Sequence, residues 1–220
     1  EEVIPAINEY AAQCKHPVYM VTLGDMTQTS TRPGWKGREA GYSLKNYMED
    51  TKVDIPVFNA IGNHDHNHAP KGEMFDDETV YLSRADYHKD LGPEYYSFNI
   101  GNVHFVVLDN LIMTLADTGR LTGTEQGLTD EIMAWLESDL QYVDKSKILM
   151  VAAHSPMTKL RTGGSRTNAA KHFADYTALF KKFAQAHIWS GHTHKIFNYN
   201  YAPNNSLYPI EEHTVARSTG

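Results

Sequence analysis

The stretch Val57-Phe58-Asn59-Ala60-Ile61-Gly62-Asn63-His64-Asp65 changes character at its middle. Its first half has the composition and length of a buried strand, and its second half is a string of side chains that bind metals or move protons. The same change recurs three times. Residues 17–23 run as a strand into Gly24-Asp25, residues 147–153 into His154, and residues 186–190 into Gly191-His192-Thr193-His194. In open α/β sheets ligands gather outside the carboxyl ends of strands, where loops converge. Four such ends predict one shared site.

Between these strands lie segments of helical period, at 3–13, 41–49, 130–142 and around 172–184. Thr129 is placed to cap the third, which carries Ile132, Met133, Leu136 and Leu140 along one face. Residues 95–100 and 103–108 flank Gly101-Asn102, a Gly-containing two-residue turn suited to a hairpin. The tail from Glu212 reads as a final strand cut short. Strands alternating with helices predict an α/β layered fold. A chain of 220 residues with 41% hydrophobic content suits a single domain, residues 1–220.

The net charge of -7, with no run of Lys or Arg, argues against nucleic acid or an anionic membrane as the main partner. The apolar runs are far shorter than the ~20 residues of a membrane span. Cys14, the single cysteine, excludes an intrachain disulfide and a cysteine-based zinc site. Any anion this chain handles must therefore be gripped locally.

Asp, Asn and His offer oxygen and imidazole donors without thiolate, a set suited to Mn, Fe, Zn or related divalent ions. A carboxylate can bridge two ions, which makes Asp25 the natural shared ligand of a pair. His192 and His194, two apart on an extended segment, face one side. His64 beside Asp65 has the chemistry of an acid that works near neutral pH.

These ordered motifs resemble the calcineurin-like metallophosphoesterase superfamily, whose pattern is Asp-x-His, Gly-Asp, Gly-Asn-His-Asp/Glu, a lone His after a strand, and Gly-His-x-His. Four of the five are present in order from Gly24 to His194. A given four-residue string arises by chance about once in 10⁵ positions, so the ordered set is specific. The resemblance implies a four-layer α/β/β/α sandwich with two mixed sheets and a binuclear divalent centre of Mn, Fe, Zn or Ni. Asp25 would bridge the metals, Asn63, His154 and His192 would complete the second site, and His194 would serve the first. A metal-bound hydroxide would attack phosphorus, with His64, oriented by Asp65, as general acid. The substrate would be a small phosphorylated molecule: a phosphomonoester, a phosphodiester or a nucleotide-sugar pyrophosphate.

The Asp-x-His motif has no counterpart in order. Asp86-Tyr87-His88 has the composition but follows Gly-Asn-His-Asp and sits in a helix-like segment. The expectation is a domain shortened at both ends, with upstream residues supplying the motif and flanking domains in a longer chain. As written, the chain would hold one tight metal and one weak one. The alternative is a metal-binding pseudoenzyme or recognition module with an incomplete first-metal site. The run from Gly92 to Asn110 also resembles a secreted or periplasmic bacterial branch, which implies an extracytoplasmic location.

Arg161 and Arg166, in the loop after His154, are candidates for holding phosphate. Gly163-Gly164-Ser165 lacks the spacing and Lys of a P-loop. His66 and His68 are read as solvated loop histidines and His104 as structural. Tyr199 and Tyr201 are read as sheet residues. His16, His88, His172, His187 and His213 show no partner spacing along the chain.

Overall fold

Burial alternates along the apolar runs, and that alternation decides how the layers stack. In the computed structural model, which describes residues 3–26, 52–66, 78, 84–85, 87–89, 91–158 and 170–216, α1 (Val3–Gln13) leads into β1 (Met20–Thr22), which pairs in parallel with β2 (Val57–Asn59). The hairpin β3 (Tyr96–Ile100) to β4 (Val103–Leu108) turns at Gly101-Asn102, where Gly101 takes φ 56°. A second hairpin, β5 (Leu111–Leu115) and β6 (Leu121–Gln126), precedes α2 (Asp130–Gln141). Then come β7 (Ile148–Ala153), α3 (Phe173–Phe180), β8 (Gln185–Ser190), β9 (Phe197–Asn200) and β10 (Ile210–Thr214).

Six of these strands form one mixed sheet in the order β3-β4-β7-β8-β10-β9. The four inner strands are parallel and the two edge strands antiparallel to their neighbours. Side chains alternate faces along a strand. Val106, Leu108, Leu149, Val151, Ala153, Ala186 and Ile188 point to one face, where they meet Ile132, Met133, Leu136 and Leu140 of α2 and Tyr176 and Phe180 of α3. Val107 and Ala152 point to the other face and pack with Ala60, Val21 and Leu23 of the β1–β2 sheet. The order helix pair, sheet, sheet follows, and α1 adds a buried Ile4. The fold is a mixed α/β sandwich with several sheets, as expected.

Thr129 caps α2 as predicted, its hydroxyl accepting from Ile132 N at 3.2 Å. The predicted helix around 172–184 is shorter. After Phe180 the chain tightens into i→i−3 bonds from Lys182 and Phe183, and Ala184 N turns away to the Lys145 carbonyl. β1 and β2 are also shorter than the apolar runs, and among the described residues each pairs with the other. The final strand starts at Ile210, two residues ahead of the predicted start, because the whole segment pairs with β8. Residues 41–49 lie outside the described residues. No helix among the described residues is long and apolar enough to cross a membrane.

Candidate metal centre

Because β4, β7, β8 and β10 are parallel, their carboxyl ends share one edge, and the loops after β1 and β2 reach it from the facing sheet. Gly24 and Gly62 make the approach possible. A Cβ on Gly62 would stand 2.3 Å from both the backbone N and Oδ1 of Asp25. A Cβ on Gly24 would stand 2.6 Å from His154 Nδ1, and Gly24 also holds φ +85°. The two loops touch backbone to backbone, which brings Asp25 against the Gly62-Asn63-His64-Asp65 turn.

His154, directly after β7, is the hub. Its Nδ1 lies 2.5 Å from the Leu23 carbonyl oxygen, which can only accept, so the hydrogen sits there. Its Nε2 then faces Asn63 Oδ1 at 3.0 Å, His192 Nδ1 at 2.9 Å and Asp25 Oδ2 at 3.3 Å. Four electron-rich atoms from four loops converge with almost no solvent at His154. That donor set fits a divalent cation of the borderline class, and the Leu23 carbonyl is the kind of outer partner that orients a ligating imidazole. Asp25 Oδ1 is held separately, accepting the His64 N–H at 3.0 Å.

The titration directions agree that this cluster attracts positive charge. Burial works against ionised Asp25, yet His154, the His64 N–H and the His64 side chain outweigh it and hold the carboxyl below the ordinary range. Burial likewise opposes a charged His154, and the Asp25 carboxylate overcomes it and pushes the imidazole up. Asp65 behaves differently. Burial, and then the charge of Asp25, push it up to about 6, although its carboxylate accepts the Gly62 N–H at 2.8 Å.

His194 stands exposed with φ 56°, and it is not in the Asp25, His154, His192 group whose ligand atoms lie within 4.8 Å of one another. The backbone of His192, at φ 61°, turns its ring toward His154 instead. Of Asp86-Tyr87-His88, Asp86 lies outside the described residues, and His88 pairs with Glu94. Arg161, Arg166 and His68 also lie outside them.

His66 corrects the reading of a solvated histidine. It is fully buried, its Nε2 3.2 Å from Asp109 Oδ1, because the carboxylate supplies the polar partner that water would otherwise provide. Arg84 reaches the other Asp109 oxygen at 3.2 Å. Burial alone would raise Asp109, but His66 and Arg84 hold it low. His104 is structural, set between Asn99 and Asp139. Tyr199 lies in β9, while Tyr201 sits just past it and donates to Thr158.

Two supports escaped the sequence reading. Asn110 clasps Ser155, the residue after His154, donating to its carbonyl and accepting its N–H. Glu212 of β10, fully buried, accepts from Met157 N at 2.6 Å, Thr158 N at 3.0 Å and the Thr158 hydroxyl. Asp109 and Asn110 could have been found, since they follow β4 as His154 follows β7. Glu212 could not, because its partners lie 54 and 55 residues away.

A family model described as calcineurin-like phosphoesterase matches residues 2–196. The bovine (Bos taurus) serine/threonine-protein phosphatase CPPED1 is 25% identical over 206 residues, covering 89% of this chain and 58% of the relative. The chain thus spans little more than half the length of that relative. Among solved structures, the purple acid phosphatase PPD1 of yellow lupin matches with a TM-score of 0.58 at 16% identity, over 94% of this chain and 37% of that one. A dimetal phosphatase from Danio rerio matches with a TM-score of 0.54 at 16% identity, over 90% and 72%. Both structural likenesses concern the fold.

Proposed function

Since the chain belongs to the calcineurin-like phosphoesterase family, we propose that it hydrolyses phosphoric esters at the edge where Asp25, Asn63, His154 and His192 meet. The observation that carries this is the convergence of Asn63 Oδ1, His192 Nδ1 and Asp25 Oδ2 on the buried His154 Nε2. These four residues would hold one divalent ion, and Asp25 with His194 would contribute to a second. Such ions, drawn from Mn, Fe, Zn or Ni, supply Lewis acidity toward water and phosphoryl oxygens when bound.

The protein's own part is orientation and proton supply. The Leu23 carbonyl fixes the His154 ring, and the His64 N–H fixes the Asp25 carboxylate, so neither ligand must reorganise as charge develops. Asn63 presents its amide oxygen to the cluster. His64 is assigned the proton that the leaving oxygen takes up, with Asp65 buried beside it in the same turn. Arg161 and Arg166 are assigned to phosphate recognition.

The name of the bovine relative supports phosphoserine and phosphothreonine peptides as first substrates. The test is hydrolysis of these peptides, with a phosphodiester and a pyrophosphate in parallel, after reconstitution with each of the four metals. His64→Ala should lower kcat by at least about 10²-fold at unchanged metal content, whereas His154→Ala should lose both. Equal loss of metal in the two variants would remove His64 from its role as acid. No turnover with any metal or ester would remove the enzymatic reading.

A further inference from the structure

A second group of metal-competent side chains lies on the six-stranded sheet, away from the strand ends. His187 is on β8, and Glu211 and His213 are on β10, in parallel register with His187 opposite Glu211 and Trp189 opposite His213. Ala186 and Ile188 face the helices, so His187 and Trp189 face the other side of the sheet, beyond the strands covered by β1 and β2. Glu211 Oε2 stands between the imidazoles, 3.4 Å from His187 Nδ1 and 3.7 Å from His213 Nε2. One ligand atom from each residue lies within 4.8 Å of the others.

We infer that His187, Glu211 and His213 form a divalent transition-metal site, separate from the catalytic edge, that takes zinc or copper and clips β8 to β10. Donors at the usual ~2.1 Å from a tetrahedral ion stand about 3.4 Å apart, and Glu211 already stands close to that spacing from both imidazoles, at 3.4 and 3.7 Å. The tautomer is already set. His213 Nδ1 lies 2.8 Å from Asn198 Oδ1 on the neighbouring β9, so its hydrogen points there and the Nε2 lone pair faces Glu211. Two imidazoles with one carboxylate select zinc and copper over magnesium and calcium. The side chains are between 17% and 37% exposed, leaving a position for water or a ligand from solvent.

The site carries its own reporter, because the Trp189 ring stacks on His213 with centroids 4.7 Å apart. The full chain, stripped with chelator, is titrated with Zn²⁺ for stoichiometry and with Cu²⁺ for quenching of tryptophan fluorescence, with Trp189→Phe assigning the signal. Wild type and Asp25→Asn should both bind one equivalent here with half-saturation below about 10 µM, and both should quench. His187→Gln and His213→Gln should each lose that equivalent and the quench while keeping full turnover of any ester the wild type hydrolyses. Glu211→Gln, at a more exposed position, should weaken binding at least tenfold and guards against a misfolded histidine variant. Half-saturation above about 10 µM, or unchanged stoichiometry and quenching in the folded variants, overturns the site. Asp25→Asn abolishes turnover without touching this readout, so failure here and failure of the proposed hydrolysis are told apart.

Discussion

At the carboxyl ends of β1 and β8 the residues Asp25, His192 and His194 hold φ of 57°, 61° and 56°, whereas β4, β7 and β8 run in unbroken parallel register. A non-glycine residue in the left-handed region costs about 1–2 kcal/mol. The sheet body carries no such cost and supplies most of the apolar burial. The edge that carries the candidate metal centre therefore depends on stability made elsewhere, and it holds its shape through a few close contacts: Gly62 against Asp25, Leu23 to His154, Asn110 to Ser155 and Glu212 to Thr158. Substitutions at the edge should remove activity more than stability, and substitutions in the body the reverse.

Gly62→Ala should have the largest effect. Its Cβ would lie 2.3 Å from the Asp25 backbone N, which cannot move aside as a flexible side chain can. Displacing Asp25 by about 1 Å should lower kcat/KM by at least about 10²-fold, with circular dichroism preserving the fold. Near-normal turnover would mean that the two loops have slack, and the contrast between edge and body would fail at its strongest point.

Glu212→Ala tests the join between the two regions, since β10 belongs to the sheet while the Glu212 carboxylate holds the segment after His154. The variant leaves three buried donors without their acceptor and should cost about 2–4 kcal/mol, read as a lower denaturation midpoint. A part of its activity should be lost as well, because the same segment carries His154. Loss of stability with kcat unchanged would make Glu212 a member of the body alone.

How much of this was legible along the chain follows from range. The α2 stripe of Ile132, Met133, Leu136 and Leu140 and its Thr129 cap are local patterns, and they appear as read. The residues after β1, β2, β7 and β8 were recognisable because each follows its own strand directly. His66 was misread because its partner Asp109 is 43 residues away, on a loop whose approach only the fold determines. The His187, Glu211 and His213 group needs the register of β10 on β8, which no spacing along the chain reveals. The β5–β6 hairpin went unread since Leu111-Ile112-Met113 lacks clean alternation.

Asp139→Asn should have the smallest effect and the opposite character. Asp139 on α2 accepts from His104 at 2.9 Å and Ser97 at 2.7 Å, tying helix to sheet away from the candidate metal centre. Burial opposes its ionisation, yet those two donors hold its carboxyl below the ordinary range. A lowered carboxylate contributes stability that is fully present above its unfolded value, about 4, and is lost as pH falls through the lower folded value. At neutral pH the variant should be less stable by about 1 kcal/mol with kcat unchanged. The gap between variant and wild type should begin to narrow below about pH 4, as the wild-type carboxylate starts to take up its proton. Chemical denaturation at pH 7 and pH 3 measures both differences. A gap that does not narrow at all between pH 7 and pH 3 would assign the effect to packing rather than charge, and a fall in kcat at pH 7 would show that the sheet body transmits strain to the edge, erasing the distinction between the two regions.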